Sequence, residues 1–499
     1  MAVDRDALIR LYRGQGMPEA DAIRKAHQGS QRAPEEEDDA PETPVRPEDA
    51  DAADDSAGTR RFVVVTKDFT GLGWAKKLDE EGEDVTLATD YSEEEDPKLK
   101  EQMMRVGEGW LPVVQLSEAV KTLQSDNTIW IFAENCFVEE AEKLIEAGQK
   151  VFPPSITLGE KMEHDRDFAV GVAEDAGLPS PPTHEFSSRD EGLKFLDANK
   201  STAYVMKIND NKFNFQTFVP NARTEADAHE QLYVYLKYMD DEPTDYILQE
   251  RIPIEDALEV NVELWFFEGE PFLATLGLEV KRKNTYDVGE MTGCAGDFTQ
   301  FIPLDSPLVE KTIGKLGDFY REQKYTGFAD VNVIFTKDNQ PHFLEVCNRF
   351  GYNSHPNMFL GLCRDNFGDV IADYLDGNVS DMASRFRTEI GCSLTLFIDH
   401  PRPGLPIFVK PDAEEQFYTF DGLKKEDQLL MTGYSDEIGI FLTRGKDIQE
   451  AWDKMADAVA MKEKVIFPDI YYRWDLAEDN YYNAPILRYQ ELKKRGLLK

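Results

Sequence analysis

Residues 325–351 read Tyr325-Thr-Gly-Phe-Ala-Asp330-Val-Asn332-Val-Ile-Phe-Thr-Lys-Asp-Asn-Gln-Pro-His-Phe-Leu-Glu345-Val-Cys347-Asn348-Arg349-Phe350-Gly351. Two apolar runs flank the polar turn Lys337-Asp338-Asn339-Gln340, a pattern that predicts a β-hairpin. Side chains alternate across a strand, so Asp330 and Asn332 share one face, with Glu345 opposite on the partner strand. Oxygen-bearing side chains so placed suit magnesium, which takes oxygen ligands and shares them with substrate phosphates. Arg349 adds a fixed cation for a phosphoryl or acyl-phosphate group. On a regular strand Glu345 and Cys347 face the same way and Asn348 the other. Cys347 is a poor magnesium ligand, because thiolates favour softer metals. Two geometries stay open: a regular strand that leaves Asn348 pointing away, and a β-bulge near Val346, the one expected here, which absorbs one residue and turns Asn348 to the side of Glu345. The plain alternative is a hairpin whose Glu345 and Arg349 form an ordinary ion pair.

Towards the N-terminus, Phe62-Val63-Val64-Val65-Thr66 reads as a buried strand, and Gly71-Leu72-Gly73-Trp74-Ala75-Lys76-Lys77-Leu78 turns into a helix. Further strands are predicted at Val85–Ala88, Thr128–Phe132 and Lys150–Phe152, with a helix over Val138–Gly148. Such alternation implies a parallel α/β sheet. Gly71-x-Gly73 lacks the third glycine of a dinucleotide fingerprint and reads as a strand–helix turn. Helices and strands alternate again from Thr183 to Ile252, as in a small lid. Glu259–Phe266 leads through the turn Glu268-Gly269 into the strand Pro271–Thr275. Residues 392–475 form a last α/β unit. Residues 4–31 read as one or two short helices, a docking or accessory appendage.

The 499 residues call for about three packed units, and 41% hydrophobic content supports folded cores. No apolar run is long enough to span a bilayer, and no signal-type stretch opens the chain, so a cytoplasmic location is expected. Five scattered cysteines, with no C-x-x-C pair, point to reduced thiols. A formal charge of −41 argues against a nucleic-acid binder. Residues 33–59 hold eleven acids against a single Arg46 and no aromatic residue, and read as a disordered acidic linker.

The hairpin resembles the metal-binding hairpin of ATP-grasp enzymes, above all glycinamide ribonucleotide synthetase (phosphoribosylamine–glycine ligase), whose pattern runs Glu-x-Asn-x-Arg-Phe-Gly. Glu345, Arg349, Phe350 and Gly351 match in register, while the family Asn falls on Cys347 and Asn348 follows one place later. Lys281-Arg282 and the glycine-bearing stretch to Gly296 are similar to the family's phosphate loop, so Arg282 would reach the triphosphate. Tyr204-Val205-Met206-Lys207 resembles the lid strand whose Lys meets ATP phosphates. Gln249-Glu250-Arg251-Ile252 resembles the hinge whose backbone bonds the adenine edge. Glu259, with Glu255 in reserve, takes the place of the ribose carboxylate. Phe152-Pro153-Pro154-Ser155, Lys161 and Gly177-Leu178-Pro179 resemble the entry to the ATP-grasp domain, and Ile470–Leu476 its closing strand.

The resemblance, in order over residues 60–480, implies an α/β fold with α+β lobes. Its expected parts are a helical appendage (1–32), the linker (33–59), a parallel-sheet domain (60–155), an ATP-grasp domain (156–385, lid about 185–250) and a small C-terminal α/β domain (386–499). It implies an ATP-dependent ligase that joins a carboxylate to an amine through an acyl phosphate. ATP and magnesium, or manganese, would be required. Glu345, Asn348, Asn332 and Asp330 would hold the metal, and Lys161, Lys207, Gln249, Glu250, Ile252 and Glu259 the nucleotide, with Arg349 and Arg282 catalytic. Partners would be small carboxylates and amines, with no nucleic acid and no membrane, and a protein partner for residues 1–32 stays open.

Two family segments that help bind phosphoribosylamine are replaced here, by Lys67-Asp68-Phe69-Thr70-Gly71 and by Phe132-Ala133-Glu134-Asn135. The lid loop Ile208–Phe218 lacks glycines and has Lys212 as its one cation. Three functions therefore stay open: a ligase with another substrate, the phosphoribosylamine ligase of purine biosynthesis, and a non-catalytic nucleotide-binding or scaffolding protein.

Overall fold

A strand covered on both faces needs apolar side chains throughout, and β1 (Arg61–Val65) supplies them from Phe62 onward. The computed structural model describes residues 60–498 apart from 69, 93, 209–216, 223, 241–242, 254–256, 467–468 and 480–482. The expected N-terminal helices, the acidic linker, Lys212 and Glu255 lie outside the described residues. β1 is the middle strand of a five-stranded parallel sheet with β2 (Asp84–Thr89), β3 (Val113–Gln115), β4 (Thr128–Phe132) and β5 (Lys150–Phe152), in the order β3-β2-β1-β4-β5. Phe62 and Val64 pack against Leu72, Ala75 and Leu78 of α1 (Leu72–Glu80). Val63 and Val65 pack on the other face against Ala141 and Leu144 of α2 (Val138–Glu146).

Two helices follow, α3 (Ile156–His164) and α4 (Arg166–Asp175), the second capped by the Asp165 carboxylate accepting from Phe168 N–H. The lid is a three-stranded antiparallel sheet of β6 (Thr183–Phe186), β7 (Tyr204–Ile208) and β8 (Tyr246–Glu250), with β8 central. Helix α5 (Glu225–Tyr238) closes its small core through Leu232 and Leu236 against Tyr204, Met206 and Leu248.

The largest sheet runs in the order β14-β13-β9-β10-β12-β15, then Glu437–Gly445 and Phe417–Thr419. Its strands are β9 (Leu258–Phe267), β10 (Glu270–Gly277), β12 (Val288–Ile302), β13 (Gly327–Phe335), β14 (Pro341–Cys347) and β15 (Ile390–Ile398), with β11 (Val280–Asn284) paired to β12. The turn between β9 and β10 uses Glu268 and Gly269, both at positive φ, as two-residue hairpin turns demand.

Period-two alternation in β9 and β13 gives this sheet two unlike faces. Val260, Val262, Leu264 and Phe266 join Ala329, Val331, Val333 and Phe335 in the main core. The opposite face carries Glu259, Asn261 and Glu263 and then turns aromatic at Trp265 and Phe328; Phe328 meets Phe152 of the parallel-sheet domain and Phe350 just beyond β14. The expected boundary at residue 386 does not interrupt the sheet, since β12 pairs directly with β15. A final helix, α6 (Pro485–Lys494), packs Leu492 into the main core. No helix among the described residues is long and apolar enough to cross a membrane.

Candidate active site

The acidic end of that second face is the candidate site. β13 pairs with β9 as Asp330↔Glu263 and Asn332↔Asn261, and with β14 as Asn332↔Glu345 and Asp330↔Cys347, so all these side chains face one way. Asn332 Nδ2 donates to Glu259 Oε1 at 3.2 Å, and Asn261 Nδ2 to Asp330 Oδ2 at 3.3 Å. Asp330 Oδ1 and Asn332 Oδ1 are buried and have no hydrogen-bond partner among the described residues.

The irregularity in this hairpin lies upstream of the place expected. Asn332 pairs with Glu345 but Val333 with Phe343, so Leu344 is the extra residue, and pairing through Val346 and Cys347 is regular. Asn348 is therefore turned away from the acidic face. It is fully buried, its Nδ2 donating to Tyr325 Oη at 2.9 Å, Phe328 O at 3.1 Å and Tyr320 Oη at 3.3 Å. The expectation that a bulge near Val346 brings Asn348 to the metal is corrected: Asn348 braces the core, and Cys347 stands beside Glu345 instead.

Three cations surround Glu345. Lys281 Nζ donates to Glu345 Oε1 at 2.6 Å and lies 4.0 Å from Glu279 Oε2. Lys207, from the lid, donates to Leu344 O at 3.5 Å. Arg166, at the start of α4, keeps Nη1 buried without a hydrogen-bond partner among the described residues. Lys281 first, with help from Lys207 and Arg166, holds the Glu345 carboxyl well below the usual range, outweighing its partial desolvation. Burial pushes Lys207 down to about 8, opposed by Glu345. It pushes Glu279 up to about 8, opposed by Lys281, and Asp330 up to about 7, opposed by the Asn261 hydrogen bond and Lys281.

The other anticipated residues divide. Gln249 is buried in β8 with Nε2 on Thr183 Oγ1 at 3.2 Å, Glu250 N–H donates to Pro182 O at 2.8 Å, and Ile252 is half-buried just beyond. Gln249 and Glu250 thus sit on the central strand of the lid sheet, paired on both sides, and Glu259 follows seven residues beyond Ile252, in β9. Lys161 does not join Glu345. It is exposed on α3, its ammonium 3.9 Å from the Phe168 ring centroid. Arg166 stands where Lys161 was expected, and the sequence signal that marks it is its place at the first turn of α4, right after the capping Asp165. Arg282 ties the loop to the lid base, donating to Gly289 O at 2.8 Å and Val219 O at 2.6 Å. Arg349 pairs with Glu163 at 3.0 Å, not with Glu345, and lies 4.7 Å from the Tyr352 ring centroid.

Arg349 and Tyr352 also line a small cavity with Thr70, Trp74, Glu134 and Tyr418. Glu134 accepts from Thr66 Oγ1 at 2.7 Å, from Lys67 N–H at 3.1 Å and from Thr70 Oγ1, so it fixes the loop after β1. Burial, then Asp68, raises its carboxyl well above the ordinary value.

The donors fit magnesium or manganese: hard oxygens of Glu345, Asp330 and Asn332 on one face, two of them unpartnered. Among the described residues no three His, Cys, Asp or Glu side chains converge to hold a metal by themselves.

The sequence matches no protein-family model and no curated protein. In structure the chain is similar to phosphoribosylamine–glycine ligase from Thermotoga maritima, with TM-score 0.61, 16% identity, and 83% of this chain and 99% of that one covered. It is similar to the biotin carboxylase domain of 2-oxoglutarate carboxylase from Hydrogenobacter thermophilus, solved with MgADP and bicarbonate, with TM-score 0.54, 12% identity, and 88% and 99% covered. It is also similar to L-amino acid ligase from Bacillus licheniformis, with TM-score 0.50, 14% identity, and 82% and 99% covered. From the parallel sheet through the lid to the acidic sheet face, the chain has the ATP-grasp fold.

Proposed function

We propose that this chain is an ATP-dependent ligase that joins a carboxylate to an amine. The observation that carries the reading is the gathering of Lys207, Arg166 and Lys281 around Glu345, on a face that also holds the unpartnered oxygens of Asp330 and Asn332. A triphosphate needs cations, and a nucleotide-bound divalent ion needs free hard oxygens; both lie here together. The fold likeness, including a neighbour solved with MgADP, supports it.

In this reading adenine lies along Gln249–Ile252, Glu259 meets the ribose, and Lys207 and Arg166 hold the phosphates. Glu345, Asp330 and Asn332 would hold magnesium, which would supply charge against the repulsion between the triphosphate and a substrate carboxylate. The substrate carboxylate attacks the γ-phosphorus, ADP leaves, and the amine then displaces phosphate from the acyl phosphate. Arg349, fixed by Glu163 and Tyr352 beside the cavity, stabilises the acyl phosphate. Asp68 and Glu134 at this end belong to the two segments, Lys67–Gly71 and Phe132–Asn135, that replace the family's phosphoribosylamine-binding ones. An unphosphorylated amine fits better than phosphoribosylamine, which moves the chain away from purine biosynthesis.

A second reading, nucleotide binding without turnover, is favoured by one observation: Cys347 beside Glu345 replaces an oxygen donor. Release of ADP, measured with magnesium against a panel of carboxylates and amines, tests both. Turnover dependent on one pair supports the ligase. Tight Mg-ATP binding with no turnover on any pair supports the second reading.

A further inference from the structure

The last helix reaches back to the strands that carry the site. Arg488 on α6 is buried, and its guanidinium donates to three carbonyls: Glu259 O at 3.0 Å, Glu279 O at 2.7 Å and Leu278 O at 3.3 Å. One belongs to β9 and two to the link between β10 and β11. The side chains of two of these residues face the site, Glu259 accepting from Asn332 and Glu279 lying 4.0 Å from Lys281. A planar guanidinium on two strand segments fixes their spacing as a point charge cannot. Burying it costs several kcal/mol unless the surroundings compensate. The three carbonyls and the acidic face, Asp297 among them, offset that cost in part, Nε being left without a hydrogen-bond partner among the described residues.

The helix has other anchors. Tyr489 Oη contacts Gln300 Oε1 at 3.1 Å, Arg495 Nη1 donates to Thr336 O at 2.7 Å, and Leu492, Leu497 and Leu498 are buried in the main core. Arg488 is thus not needed merely to hold the helix down. We propose that Arg488 is a positioning residue for the nucleotide site: it sets the distance between the strand bearing Glu259 and the segment bearing Glu279 and Lys281. This rests on the nucleotide-binding reading above, and makes the C-terminal helix part of the site's scaffold.

The test is titration calorimetry of the full chain with Mg-ATP, with thermal midpoints measured in parallel, for Arg488→Met, Arg488→Lys and Arg495→Ala. Arg488→Met is expected to weaken Mg-ATP at least fivefold, and Arg488→Lys to regain part of that loss. Arg495→Ala, which removes a different anchor of the same helix, is expected to lower the midpoint and leave affinity within twofold. A loss under fivefold in Arg488→Met overturns the proposal, as does an equal loss in Arg495→Ala. Should Arg488→Met fail to fold, Arg488→Lys decides, with a loss of threefold or more expected and a smaller one overturning it. A wild-type chain that binds no Mg-ATP overturns the nucleotide reading and this proposal together.

Discussion

Lys281 Nζ lies 2.6 Å from Glu345 Oε1, so the carboxylate best placed for a metal already shares its charge with an ammonium. The Glu345 side chain is 45% exposed, so solvent screens the pair and its removal costs little stability. Glu345→Gln is therefore expected to keep the fold and lower magnesium-dependent ATP turnover by about 100-fold or more, the scale of losing one preorganised charge partner at a reacting centre. Turnover at the wild-type rate would remove Glu345 from the site.

Asn348 and Cys347 separate stability from metal affinity. Asn348→Ala strips buried partners from Tyr320 and Tyr325 and should cost roughly 1–3 kcal/mol in denaturant unfolding, with Mg-ATP affinity within twofold. Cys347→Asn places an oxygen donor beside Glu345 and should lower the magnesium concentration for half-maximal ATP binding several-fold. Weakened Mg-ATP binding in Asn348→Ala, with full stability, would show the amide facing the metal after all.

Lys207 gives a pH signature. Its folded pKa, about 8, lies below the ordinary lysine value, so the buried charge destabilises the fold below about pH 8. That cost is relieved as pH rises from there towards the unfolded value. A bound triphosphate favours the charged ammonium, so Mg-ATP binding should take up protons near pH 8.5 and none attributable to Lys207 near pH 6. Calorimetry in buffers of different ionisation heat measures the uptake, and Lys207→Met should abolish it. Equal uptake in Lys207→Met would place the proton elsewhere.

In the proposed site Arg166, near Glu345, is the cation that would meet the nucleotide, while Lys161 is exposed beside Phe168. Arg166→Ala should weaken Mg-ATP about tenfold, the worth of one charge-assisted contact. Lys161→Ala should leave affinity within twofold, since its ammonium rests on Phe168. The opposite ranking in a direct binding assay would restore Lys161 to the nucleotide.

Much of this architecture is legible in local pattern. Phe62–Val65, Thr128–Phe132 and the alternation of Glu259–Phe266 state which strands are apolar on both faces and which carry polar side chains on one, because side-chain period is a property of the strand itself. The same alternation puts Asp330 and Asn332 on one face, but Glu345 joins them only through the extra residue at Leu344: a ladder continued regularly from Val333↔Phe343 would set Glu345 opposite Val331. β3 escaped because a three-residue strand has too little pattern to register. The extra residue at Leu344 escaped because a bulge is set by the partner strand's pairing, and that pairing sends Asn348 into the core. Whether Lys161 or Arg166 faces Glu345 depends on how α3 and α4 pack, since both helices carry a cation and neither sequence says which way it turns. Arg488 was beyond sequence reasoning altogether: its three carbonyl partners lie more than 200 residues upstream, and only tertiary packing brings them within reach of one guanidinium.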